Sequence, residues 1–235
     1  MLRSVAIDAE ELLGLARQFG PPLKKAGVNE LVHMLPETAH TDRRTTFSSI
    51  TKMEWHSDRS FDREPPALSF LWAKKIGSGS GRTIWANLKM AFASLEPELQ
   101  VECRTLHCWH ELGHFAKSYS DEIYQFDSPD RQRIAFERSR SEKNLVGYWQ
   151  GEPYLNINRG YTSRIVGRSQ EFLEKLLARS EAPDFSYHHQ WQTGDLVISN
   201  NWTLIHCREP SKASEREMFR VLTLKPTAPE PWAEA

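Results

Sequence analysis

The chain has 235 residues, 39% of them hydrophobic and 26% charged, which suits one domain with a sizeable core. A net charge of −1 leaves no basic footprint for nucleic acid or an anionic membrane surface. No apolar run approaches the ~18 residues of a membrane span, and Met1 to Glu11 mixes charge into its apolar residues, unlike a signal peptide. Cys103, Cys108 and Cys207 are odd in number and form no C-x-x-C, which predicts reduced thiols and a cytoplasmic location. The eight tryptophans read mainly as packing residues.

In chain order, Asp8 is placed to cap a helix over Ala9 to Phe19, whose Leu12, Leu13, Leu15, Ala16 and Phe19 fall on one face. Gly20-Pro21-Pro22 ends it. Residues 23–50 are mixed, Thr-rich from Thr38 to Thr51, and read as loop and short strand. The stretch Met53 to Asp58 reads as extended, and Ala67 to Ile76 as a buried strand. Gly77-Ser78-Gly79-Ser80-Gly81 is a turn; lacking a following Lys-Ser/Thr, it is no phosphate loop. Thr83 to Ala86 is a short segment before a helix over Asn87 to Leu95. Residues 96–150 read as polar, aromatic and irregular, and within them 101–150 is expected to form a lid or insertion.

The last third is more patterned. Glu171 to Arg179 is an amphipathic helix, and Tyr187 to Trp191 a strand. Gly194-Asp195 turns into Leu196-Val197-Ile198, followed by Trp202 to His206. Arg216 to Leu224 alternates as a strand, with Arg216, Met218, Arg220 and Leu222 on one face. Two arginines on a face shared with Met and Leu require an anion to meet them. Many strands, few helices and Gly/Pro turns predict a mainly β fold, a sandwich or jelly roll with flanking helices.

Two constellations carry chemistry. In an extended strand His56 and Asp58 point the same way, two-thirds of the 2-His-1-carboxylate set that holds non-haem Fe(II) and leaves positions open. His110-Glu111-Leu112-Gly113-His114 matches H-E-x-x-H, which on a helix would place two imidazoles for zinc beside a general base. The second lacks the glycine of the extended motif and an evident third ligand, so a His-rich lid is the preferred reading.

Five elements in order, Trp55-His56-Ser57-Asp58, the Pro-Pro pair before an apolar strand, Gly81 to Asn87, Trp191 to Val197, and His206 followed by Arg216 to Arg220, make the chain resemble the Fe(II)/2-oxoglutarate-dependent dioxygenases of the taurine dioxygenase type. The resemblance runs from about Ala9 to Leu224 and implies a double-stranded β-helix. It implies His56, Asp58 and His206 as iron ligands, with Thr83 and Arg216 on the distal carboxylate of 2-oxoglutarate. Arg220 and Lys52 are expected to face substrate, Lys52 because strand parity puts it beside His56. The cofactors implied are Fe(II), 2-oxoglutarate and O2, and the carboxylate of Asp58 implies oxidation rather than halogenation. The chain carries Asn200-Asn201 where the family usually has Asp-Asn.

The expected substrate is a small polar or anionic molecule such as an amino acid derivative. Readings of other classes are a zinc peptidase through His110, Glu111 and His114, and a jelly-roll binding protein without turnover.

Overall fold

The computed structural model describes residues 1–24, 30–36, 46–48, 52–118, 128–212 and 215–225. Of the Thr-rich stretch from Thr38 to Thr51, only the short strand at 46–48 lies among them.

Two antiparallel sheets dominate. The larger contains β1 (Leu31–Leu35), β2 (Thr46–Ser48), β4 (Leu68–Ile76), β12 (Leu196–Asn200) and β14 (Arg216–Thr223), in the order β12-β4-β14-β1-β2. Only β1 and β2 run parallel within it. The smaller has β3 (Met53–His56), β5 (Thr83–Asn87), β11 (Ser186–His189) and β13 (Leu204–Arg208), in the order β11-β5-β13-β3. Leu71, Ala73, Val197 and Met218 of the larger sheet pack on Trp85 of the smaller and on Trp191, so the core lies between the sheets. This is the expected jelly roll.

Alternation decides which side chains enter that space. Along β14 the even residues from Arg216 to Leu222 turn inward, while Phe219 and Val221 turn outward. The outward row is covered by α1 (Ala9–Arg17), which buries Leu12 and Ala16 against Phe70, Trp72, Leu196 and Phe219. Asp8 caps this helix, accepting from the N–H groups of Glu10 and Glu11 at 2.9 Å, while Glu11 accepts from Asp8 N–H at 2.8 Å. Such a reciprocal cap stabilises the helix by about 1 kcal/mol.

The stretch 96–150 corrects the expectation of irregularity. It holds α3 (Pro97–Cys103), β6 (His107–Glu111), α4 (Leu112–Ser118), α5 (Pro129–Arg138), β7 (Arg140–Asn144) and β8 (Val146–Trp149). Strand β6 is central in a third sheet, between β7 and β10 (Thr162–Ile165), and β8 pairs with β9 (Glu152–Leu155). Cys103, Cys108, Leu145 and Val146 join a second core with Phe92 of α2 (Leu88–Ala93) and Leu173, Leu176 and Leu177 of α6 (Gln170–Ser180). These buried positions are too widely spaced among polar residues to show as periodicity. The three cysteines are free thiols, as expected.

Candidate active site

The site is built where β3 ends. His56, its last residue, pairs directly with His206 in the middle of β13, and the two imidazole centroids lie 4.2 Å apart. The chain then turns out of the sheet, bringing Asp58 back beside them. One donor atom from each of His56, Asp58 and His206 can be chosen so that all lie within 4.8 Å of one another. Among the described residues this is the only such group of His, Cys, Asp or Glu.

Each member is held by neighbours. His56 Nδ1 lies 2.7 Å from the carbonyl of Glu54; the Nδ1–H donates there, which leaves Nε2 as the donor to a metal. Asn201 grips the backbone of Asp58 at both ends, accepting from its N–H at 2.7 Å and donating to its carbonyl at 2.9 Å. Ser69 donates to Asp58 Oδ2 at 3.2 Å, and Arg220 to Oδ1 at 2.6 Å. Further along the same loop, Lys143 donates to the carbonyls of Asp62 and Arg63 at 2.6 and 2.7 Å. Strand β7 therefore braces the loop that carries Asp58.

The electrostatics suit a divalent cation. Burial pushes both imidazoles down, His206 to about 3, so both are neutral lone-pair donors at neutral pH. Burial alone would raise the Asp58 carboxyl, but Arg220 and then the two imidazoles outweigh it and hold the group below the ordinary aspartate range. Two neutral imidazoles and one carboxylate are the donor set of non-haem iron. The residues present fit that ion.

The candidate cosubstrate residues lie at the start of β5 and on β14. Thr83 is buried, and its Oγ1 accepts a hydrogen bond from Trp191 Nε1 at 2.8 Å, so its own O–H is directed elsewhere. Arg216 is 1% exposed and donates to the carbonyl of Gly81 at 3.0 Å. Burial lowers its guanidinium to about 10, still charged at neutral pH. Arg216 and Arg220 both enter the barrel from β14, as strand parity requires.

Lys52 does not follow its expected parity. Opposite His206 and Arg208 the paired residues of β3 are His56 and Met53, three apart against two, so β3 carries a bulge. The extra residue reverses the alternation, and Lys52 turns away from His56. Its side chain is 64% exposed and its ammonium pairs with Glu54 at 2.7 Å, near Cys207, which faces out from β13. Arg208 lies two residues after His206, on the same strand face.

The H-E-x-x-H match is not a zinc site. His110 and Glu111 lie on β6 and only the rest on α4, so the two imidazoles do not share a helix face. His110 is fully buried and donates from Nε2 to the carbonyl of Asn156 at 3.0 Å; His114 Nε2 donates to that of Arg159 at 3.2 Å.

The family model described as taurine catabolism dioxygenase TauD, TfdA family matches residues 1–222. The chain belongs to the TauD/TfdA family. It is 25% identical to a pentalenolactone F synthase of Streptomyces avermitilis over 95% of its own length and 80% of that protein's. It is also 25% identical to an alpha-ketoglutarate-dependent 2,4-dichlorophenoxyacetate dioxygenase of Burkholderia sp., again over 95% and 80%. In fold it matches a taurine dioxygenase from Burkholderia xenovorans with a TM-score of 0.71, at 21% identity, covering 95% of this chain and 75% of that one. A second structure, AAD-2 in complex with Mn(II) and N-oxalylglycine, gives 0.72 at 23% identity, covering 95% and 80%. Membership in the TauD/TfdA family makes this chain a 2-oxoglutarate-dependent dioxygenase, and so implies Fe(II) and 2-oxoglutarate. The zinc-peptidase reading finds no support among the relatives. No helix among the described residues is long and apolar enough to cross a membrane.

Proposed function

We propose that this TauD/TfdA-family protein oxidises a small anionic molecule with O2, using one Fe(II) held by His56, Asp58 and His206. The observation that carries the assignment is the convergence of those three donors with His56 Nδ1 already committed to Glu54. Bound Fe(II), with 2-oxoglutarate and O2, supplies the oxidising power to replace a C–H bond by C–OH, 2-oxoglutarate leaving as succinate and CO2.

The chain's own residues bind, orient and shield. Arg216 and the Thr83 hydroxyl hold the distal carboxylate of 2-oxoglutarate, the arginine as a planar fork and the threonine in the orientation set by Trp191. Arg220 keeps Asp58 ionised. A guanidinium has five N–H donors, so the bond to Asp58 is compatible with a further one to an anionic group of the substrate. Phe115 of α4 and Tyr161 pack edge-on against His56 and limit water on that side. Within 101–150, the paired strands β6 and β7 are scaffold, and the lid function falls to α4 and α5. Lys52, turned outward, is given no part in substrate binding.

The relatives named for 2,4-dichlorophenoxyacetate and (S)-phenoxypropionate act on small carboxylates, and an anionic substrate met by Arg220 is consistent with them. The test is a panel of small carboxylates, sulfonates and amino acid derivatives, read as succinate formed under Fe(II), 2-oxoglutarate and O2. A member that raises succinate several-fold and is itself hydroxylated identifies the class. No succinate above background with any iron-loaded sample would refute the assignment.

A further inference from the structure

The barrel interior holds a third arginine that none of these roles uses. Arg208 ends β13, and the pairing of β13 with β5 runs unbroken from Leu204↔Asn87 to Arg208↔Thr83. Residues directly opposite in an antiparallel pair project to the same side. Trp85, opposite His206, accordingly stacks near its ring at 6.3 Å between centroids. By the same rule the Arg208 side chain projects beside Thr83. It is 7% exposed, and its charge reaches both His56 and His206.

Two further features converge on that end of β5. The Arg216 guanidinium arrives from the other sheet and donates to the Gly81 carbonyl, two residues before Thr83. The backbone just after Arg208 closes on the same glycine: a Cβ there would meet Glu209 O at 2.5 Å and Pro210 O at 2.8 Å. Glycine is required for so close an approach, and it draws β13, β5 and the tip of Arg216 together.

We propose that Arg208 is a second guanidinium of the 2-oxoglutarate pocket, set with Arg216 and Thr83 around the carboxylate remote from the metal. This rests on the reading that Thr83 and Arg216 hold that carboxylate. A dianionic cosubstrate is what such a cluster of cations attracts, since each charge-assisted bond to a carboxylate is roughly twice as strong as a neutral one. The same cation opposes a metal at His56 and His206 until the cosubstrate arrives. Removing it weakens cosubstrate binding without weakening the hold on the metal.

The experiment is calorimetric titration under argon of Mn(II) into the metal-free protein, then of 2-oxoglutarate into the Mn(II)-loaded protein. It compares wild type with R208Q, R208K and R216K. For R208Q the expected result is 2-oxoglutarate affinity weakened about 10-fold or more, with Mn(II) affinity unchanged or tighter. A purely structural role would weaken both together, and that result overturns the proposal, as does 2-oxoglutarate affinity within twofold of wild type. Should R208Q fail to fold, R208K decides. Several-fold weaker 2-oxoglutarate binding with unaltered Mn(II) binding supports the proposal, and unaltered 2-oxoglutarate binding overturns it. R216K separates the two levels. If it binds 2-oxoglutarate like wild type, the reading of Thr83 and Arg216 falls and this inference with it. If it is weakened while R208Q is not, only the role of Arg208 falls.

Discussion

Asn201 holds Asp58 by both backbone polar groups of that residue, accepting from the N–H at 2.7 Å and donating to the carbonyl at 2.9 Å. The same amide nitrogen also donates to Pro66 O at 2.9 Å, so one buried side chain ties down both ends of the loop from 58 to 66. The Asn-Asn pair thus divides its work: Asn200 accepts from the N–H groups of Trp202 and Thr203 and shapes the turn, and Asn201 holds the ligand loop.

Asn201→Asp replaces a buried donor by an acceptor facing two carbonyls. An unsatisfied buried polar group costs about 1–3 kcal/mol, and the ligand loop is what loosens. The melting temperature is expected to fall by several degrees and the Mn(II) affinity by at least 10-fold. Thermal scans with and without Mn(II) check it; unchanged metal affinity would show that Asp58 is positioned without Asn201.

Gly160 backs His56. A Cβ there would lie 2.9 Å from the Phe115 ring, 3.1 Å from His56 Cβ and 3.2 Å from Trp55 O. Its N–H also donates to Trp55 O at 2.8 Å, so the backbone has little room to retreat. Gly160→Ala is expected to cost about 1–3 kcal/mol of stability through overpacking and to lower kcat by displacing His56. Urea unfolding and steady-state turnover check both; a variant equal to wild type in each would show that the gap can widen freely.

His110 supplies a pH signature. Burial pushes its folded-state pKa down to about 4, while an unfolded histidine titrates near 6.5. Between those values the unfolded chain binds more protons. The stability contributed by the neutral buried ring is therefore complete above pH 6.5, falls as the pH drops through the window, and levels off below about 4. The swing is on the order of 3 kcal/mol. His110→Gln, which can still donate to Asn156 O, should lose less stability than wild type between pH 7 and pH 4.5. Parallel unfolding curves at the two pH values test this, and equal losses would contradict it.

Within 101–150, hydrogen exchange is expected to be slow in β6 and β7 and fast in α5, which buries none of its residues. Addition of Mn(II) and 2-oxoglutarate should protect α4, which carries Phe115 to His56. Uniformly slow exchange, unaltered by ligands, would make the whole segment scaffold.

The site was legible in the short H-x-D spacing and in the alternation along β14, although β3 ends at His56 and the turn after it, not strand parity, places Asp58. His56 and Asp58 stood out as an H-x-D, and Arg216 with Arg220 as cations on an otherwise apolar strand face. Lys52 was misplaced by one bulged residue in β3, which local sequence does not announce. The stretch 96–150 hid its order because its buried residues, Cys103, Cys108, Leu145 and Val146, belong to four different elements or turns and pack only in three dimensions. His110 matched a zinc motif by residue type alone; the break between β6 and α4 inside it removes the helix that the motif needs.

Arg216→Lys keeps the charge and loses the planar fork. The KM for 2-oxoglutarate should rise about 10-fold or more with metal affinity little changed, and Arg220→Lys should instead weaken the coupling of 2-oxoglutarate consumption to substrate oxidation. Titration of cosubstrate and substrate on both variants checks the division, and exchanged phenotypes would reverse it.

The central claim is that one metal ion sits between His56, Asp58 and His206. Anomalous diffraction at the manganese edge from crystals grown with Mn(II) addresses it most directly, with the Asp58→Ala variant alongside. The account predicts a single peak within bonding distance of His56 Nε2, the Asp58 carboxylate and a ring nitrogen of His206, lost or much reduced in the variant. A peak at His110 and His114, or a wild-type barrel without one between the three ligands, would contradict it.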